Sequence, residues 1–116
     1  MYNRMAMYSQ RLDDVFAALS DPTRRRMLER LARGPRSIGD VGAGFAISQP
    51  ALSKHVKVLE RSGLVKRTIA GRTHHLELVP SSMESATRWI ERQRRYWEGA
   101  LARLETVLGE ETQDHA

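Results

Sequence analysis

Apolar positions recur along most of this chain at the three- and four-residue steps of a helix, and the rhythm changes to that of strands only between residues 64 and 79. Leu12, Val15, Phe16 and Leu19 share one face of a first helix from about Gln10 to Leu19. Ser20-Asp21-Pro22 ends it and opens a second helix, with Ser20 or Asp21 as cap and Pro22 in the first turn. Met27, Leu28 and Leu31 point inward from that helix, which stops at Gly34-Pro35. Ser37 caps a short third helix carrying Ile38 and Val41, with Phe45 a further candidate. Its Gly39, Gly42 and Gly44 each cost about 1 kcal/mol against alanine, so only packing can hold it.

The turn Phe45-Ala46-Ile47 leads into a fourth helix. Ser48 suits its N-cap, Pro50 suits its first turn, and Leu52, Val56 and Leu59 form a stripe that must face a core. It ends near Ser62-Gly63, with Gly63 as a left-handed C-cap. Two β-branched and apolar runs, 64–69 and 72–79, flank Ala70-Gly71 and read as a hairpin whose register the turn leaves open. Pro80 breaks it, and Ser81 or Ser82 caps a last helix to about Leu108. The fold class is therefore mainly α with a small β-hairpin: roughly five helices plus a two-stranded ribbon.

The last helix has its own rhythm. Met83, Ala86, Ile90, Gln93, Trp97, Leu101, Leu104 and Leu108 step in near-heptads, with Trp89 and Tyr96 beside them. About 40 Å of helix, at 1.5 Å per residue, exceeds what so small a core can cover. The surplus apolar surface either meets a second copy or folds back along its own domain. A homodimer seam along this helix would draw on Trp89, Ile90, Trp97, Leu101, Leu104 and Leu108. Residues 1–9 read as a loose arm, 10–108 as one domain, and 109–116 as a frayed acidic tail.

Composition narrows the function. With 116 residues and 41% hydrophobic ones, the chain can build one modest core. No apolar run is long enough to span a bilayer and no signal-peptide block follows Met1, so a cytoplasmic protein without a membrane role is expected. The absence of cysteine excludes disulfides and thiolate chemistry. Charge is informative by its place. Between Ser48 and His75 stand Lys54, Lys57, Arg61, Lys66, Arg67 and Arg72 against Glu60 alone, a surplus equal to the net +5 of the whole chain. A positive field confined to one segment fits a nucleic-acid binder.

The fourth helix then reads as a recognition element. One face buries; the other presents Ser48, Gln49, Pro50, Ser53, Lys54, His55 and Lys57. Gln49 can pair with adenine through N6 and N7, and Ser53 can donate or accept. Lys54 and Lys57 suit phosphates, giving affinity without selectivity. Two roles are open to His55, a contact to DNA or an interhelical partner. On the hairpin Arg67, Arg72 and Thr73 fit the backbone or minor groove of double-stranded DNA. Strand alternation half-buries His74 and turns His75 outward, a poor chelating pair. Ser53 and His55 diverge on their helix with no acid to orient them, so an enzyme is not expected. A protein-binding module without DNA is the competing reading.

The order of elements resembles the ArsR/SmtB-like winged helix-turn-helix transcriptional regulators over residues 12–108. Asp21-Pro22-Thr23-Arg24 is similar to the family's second-helix opening. The run from Ile47 to His55 is similar to its recognition-helix signature, and Gly63-Leu64-Val65 with Gly71-Arg72 to its wing. The resemblance implies homodimers joined through first and last helices, which adds Leu12, Val15 and Phe16 to the seam, binding a palindromic operator, usually as repressors. The family's metal sensors use a cysteine pair near the third helix or Asp and His ligands along the last. Here the third helix offers only Asp40, and residues 81–108 hold no histidine, so no metal and no cofactor is expected. The stretch from Trp89 to Glu105 is similar to a cysteine-free branch. A small-molecule effector, a protein antagonist or control by concentration all remain open as signals, and a pocket among Trp89, Tyr96 and Trp97 is one place for a ligand.

Overall fold

The computed structural model describes residues 4–114. The elements are α1 (Arg4–Leu19), α2 (Pro22–Leu31), β1 (Arg36–Ser37), α3 (Ile38–Gly42), α4 (Gln49–Arg61), β2 (Val65–Ala70), β3 (Thr73–Leu78), a 3-10 turn (Pro80–Met83) and α5 (Glu84–Asp114). The mainly α class, five helices and the hairpin agree with the sequence reading. The boundaries of the end helices do not. Helix α1 begins six residues before Gln10, where the sequence has no apolar period to announce it, and α5 runs on through the stretch read as a tail. Met1–Asn3 of the expected arm and His115–Ala116 of the expected tail lie outside the described residues. Among the described residues no helix is long and apolar enough to cross a membrane.

Contacts divide the described residues into two compact units, one up to Ala86 and one from Thr87. The first unit holds the core. Val15 and Ala18 of α1, Met27, Leu28 and Leu31 of α2, Val41 of α3 and Leu52, Val56 and Leu59 of α4 meet Leu64, Val65, Leu76 and Ala86. Each large side chain buried there stabilises the fold by about 1.5–3 kcal/mol.

Helix ends are tied by side chains that the apolar pattern does not reveal. Helix α1 ends without a basic residue in its last turn. Arginines of α2 serve instead: Arg24 donates through Nε to Ala18 O (2.8 Å) and through Nη2 to Ala17 O (2.9 Å), and Arg25 donates to Leu19 O (2.6 Å). These satisfy carbonyls that a helix C-terminus leaves unpaired. Asp21 is the cap of α2, accepting from Arg24 N at 3.0 Å. Arg30 closes α3 in the same manner, donating to Val41 O (2.9 Å) and Ala43 O (2.6 Å) while lying 4.2 Å over the Phe45 ring. Phe45 is thus in the turn rather than on α3.

The helix-turn-helix depends on a close approach. A Cβ at Gly42 would stand 2.6 Å from Leu52 Cδ2, so any larger residue there would have to displace the buried Leu52 side chain. The intrinsically poor helix former at this position serves packing.

The sheet is antiparallel with order β1-β3-β2. Strand β1 was not expected; two residues are too few to show an alternation, and it pairs Arg36 with Leu76 and Ser37 with His75. It covers the outer edge of β3, which is why His75 is half-buried rather than outward-facing. In the hairpin Val65 opposes Leu78 and Ala70 opposes Thr73, so the loop is Gly71-Arg72, one residue later than Ala70-Gly71. Gly71 at φ +63 opens it, as a two-residue turn with glycine first requires.

Candidate nucleic-acid interface

Helix α4 is built as the sequence suggested. Ser48 Oγ accepts from Ala51 N at 3.2 Å, Pro50 lies in the first turn, and Gly63 (φ +79) follows the end. Leu52, Val56 and Leu59 are buried. Gln49, Pro50, Ser53, Lys54, Lys57 and Arg61 are exposed, stepping along the opposite face. Capping uses a lone pair of Ser48, leaving its hydroxyl proton free to donate.

His55 stands apart from that face. Its Nδ1 lies 3.2 Å from Arg24 Nη1 and 3.9 Å from Asp21 Oδ2, and the side chain is 18% exposed. Of the two roles open to His55, the interhelical one is occupied. The Asp21 carboxyl is held below its ordinary value, chiefly by the Arg24 backbone N–H, against the opposing effect of burial and with help from the charges of His55 and Arg24. Arg24 is the hub joining α1, α2 and α4. Its sequence signal was its place three residues after the capping Asp21.

The wing separates its cations into two kinds. Arg67 does not reach outward: Nη2 donates to Glu60 Oε1 at 2.6 Å, Nη1 to His74 Nδ1 at 3.1 Å, and the side chain is 28% exposed. A DNA contact by Arg67 would have to break both of these bonds. The even spacing of strand residues concealed that Arg67 lies within reach of the C-terminal turn of α4. Lys66 pairs with Glu77 across the strands at 3.0 Å. Arg72 and Thr73 are exposed at the tip, and Lys54, Lys57, Arg61 and Arg72 make no ion pair among the described residues. The positive field therefore rests on four side chains rather than six. Ile69, 61% exposed near the tip, is a further surface residue of the wing.

The proposed seam divides too. Val15 is 1% exposed in its own core and cannot face a second copy, and Leu12 and Phe16 are half-buried against that same core. In the second unit Trp89, Ile90, Trp97, Leu101, Leu104 and Leu108 are all exposed, Trp97 at 70%, and Tyr96 and Val107 join them.

A capped helix with one buried and one polar face, preceded by a tight turn and followed by a hairpin, has well-described relatives. A helix-turn-helix domain model matches residues 19–68. The HTH-type transcriptional regulator Rv2034 of Mycobacterium tuberculosis is 33% identical over 102 residues, covering 88% of this chain and 92% of that protein. The chain belongs to the ArsR/SmtB family of winged helix-turn-helix transcriptional regulators. The transcriptional repressor SdpR of Bacillus subtilis is 30% identical over 79 residues, covering 68% of this chain and 88% of that one. Among solved structures, the crystal structure of an ArsR family transcriptional regulator, RHA00566, superposes with a TM-score of 0.73 at 32% identity, covering 78% of this chain and 93% of that one. Members of this family are DNA-binding regulators rather than enzymes.

Proposed function

We propose that this regulator acts in the cytoplasm as a homodimeric repressor, binding an inverted-repeat operator through α4 and the tip of the wing. The observation that carries the reading is the exposed face of α4, where Gln49 and Ser53 stand among unpaired Lys54, Lys57 and Arg61. Gln49 and Ser53 suit base edges in the major groove; the cations and Arg72, with Thr73, suit phosphates. Dimerisation draws its support from the exposed apolar row of α5, which is more than water-facing helices ordinarily carry. The repressor assignment draws on the family and on the named repressor among its relatives.

Salt titration of duplex binding tests the reading. Lys54, Lys57, Arg61 and Arg72, without an ion pair among the described residues, would when doubled by the twofold release about seven counterions at roughly 0.9 per phosphate contact. The affinity for a duplex from the region upstream of the gene should fall with a slope of about −7 on log–log axes. A slope near zero, or no binding in dilute buffer, contradicts it.

A further inference from the structure

The first unit contains a cavity of about 260 Å³ at the base of the wing. Its walls are Leu28 of α2 and Ala32 just beyond its end, Leu64 at the entry to β2, Leu78 and Val79 at the exit of β3, and Pro80 and Met83 of the 3-10 turn. A cavity of roughly 150 Å³ admits benzene, and drug-sized pockets begin near 300 Å³. The space suits about ten non-hydrogen atoms, such as one aromatic ring with a short chain. The aliphatic walls offer nothing to a hydroxyl or carbonyl placed deep inside, so the body of any ligand must be hydrocarbon. One ionisable group lines the cavity, the exposed carboxylate of Glu29, which has no ion-pair partner among the described residues. In a chain of net charge +5, that carboxylate marks the polar end of a guest as cationic.

We propose that this cavity binds a small organic amine with an aromatic or alkyl body, and that its occupancy changes the affinity for DNA. The second clause rests on the function proposed above; the first does not. The coupling follows from position. Gly63 ends α4 beside Leu64, Val79 N donates to Leu64 O at 2.9 Å, and Ser82 Oγ donates to Gly63 O at 2.5 Å. A guest against Leu64 and Val79 presses on the junction that sets the wing against the recognition helix. Such a ligand shifts DNA affinity only by its preference for one setting of that junction.

Methyl NMR of the full chain, titrated with phenethylamine, 2-phenylethanol and 3-phenylpropanoate, tests the binding. Phenethylamine should give saturable shifts at Leu28, Leu64, Leu78, Val79 and Met83, and bind tighter than the alcohol and much tighter than the acid. Glu29→Gln should weaken the amine about fivefold and leave the alcohol unchanged. Ala32→Leu, at an exposed position, should fill the space and abolish all shifts while the spectrum stays folded. Absence of saturable shifts, equal binding of amine and acid, or binding that survives Ala32→Leu overturns the site. Saturating phenethylamine should then change duplex affinity by about fivefold or more, and an unchanged affinity overturns the coupling. Failure of the free protein to bind any duplex overturns the proposed function instead, while the amine site stands or falls by the NMR result.

Discussion

Gln49 and Lys54 share the exposed face of α4, yet they differ in what they can recognise. An amide can satisfy an adenine edge at both ends, whereas an ammonium reads charge and not sequence. Gln49→Ala should relax preference at one base position in each half-site and leave the salt slope intact. Lys54→Ala should weaken cognate and scrambled duplexes alike and reduce the slope by about one per protomer. Anisotropy titrations over both duplexes separate these outcomes, and equal losses on both would refute the division of roles. Asp21 acts on stability instead. Its carboxyl is held below the ordinary value, first by the Arg24 N–H, so folding favours its charged form. That contribution is complete above about pH 4 and is lost as pH falls through the depressed value. Asp21→Ala should cost about 1 kcal/mol at neutral pH. In urea unfolding, the gap from the parent should close toward pH 3; a gap that persists there contradicts the assignment.

At the scale of elements, the wing is held to α4 by Arg67, with Glu60 on one arm and His74 on the other. Arg67→Met should loosen the hairpin at a cost of roughly 1 kcal/mol, kept small because the pair is partly solvated and the buried Nε has no partner to lose. Duplex affinity should drop with the salt slope unchanged, because no phosphate contact is removed. A slope reduced by about one would return Arg67 to the DNA surface. Much of this level was legible in the chain. Ser37, Ser48, Asp21 and Gly63 announce helix ends because capping is local chemistry, and the burial of Leu52, Val56 and Leu59 follows from helical spacing. What was not legible depends on partners distant in sequence. Strand β1 exists because β3 offers it an edge. Arg24 and Arg67 turn inward because carbonyls, a histidine and a carboxylate wait there, and no periodicity in their own segments encodes those neighbours.

For the whole molecule, the second unit completes the account. Helix α5 holds surface ion pairs, Arg94 with Glu91 at 3.5 Å and with Glu98 at 2.9 Å, yet leaves a row of large apolar side chains exposed. In the proposed dimer, two copies of α4 related by a twofold axis would read two half-sites of one duplex. The same twofold makes the operator a record of the assembly, since each half-site reports one α4 and the spacing reports the seam. Selection of random duplexes on the purified protein is the most direct test. The account predicts an inverted repeat with half-site centres about 10 base pairs apart, some 34 Å along the duplex. Recovery of a single unrepeated site, or of no enriched sequence, would contradict it.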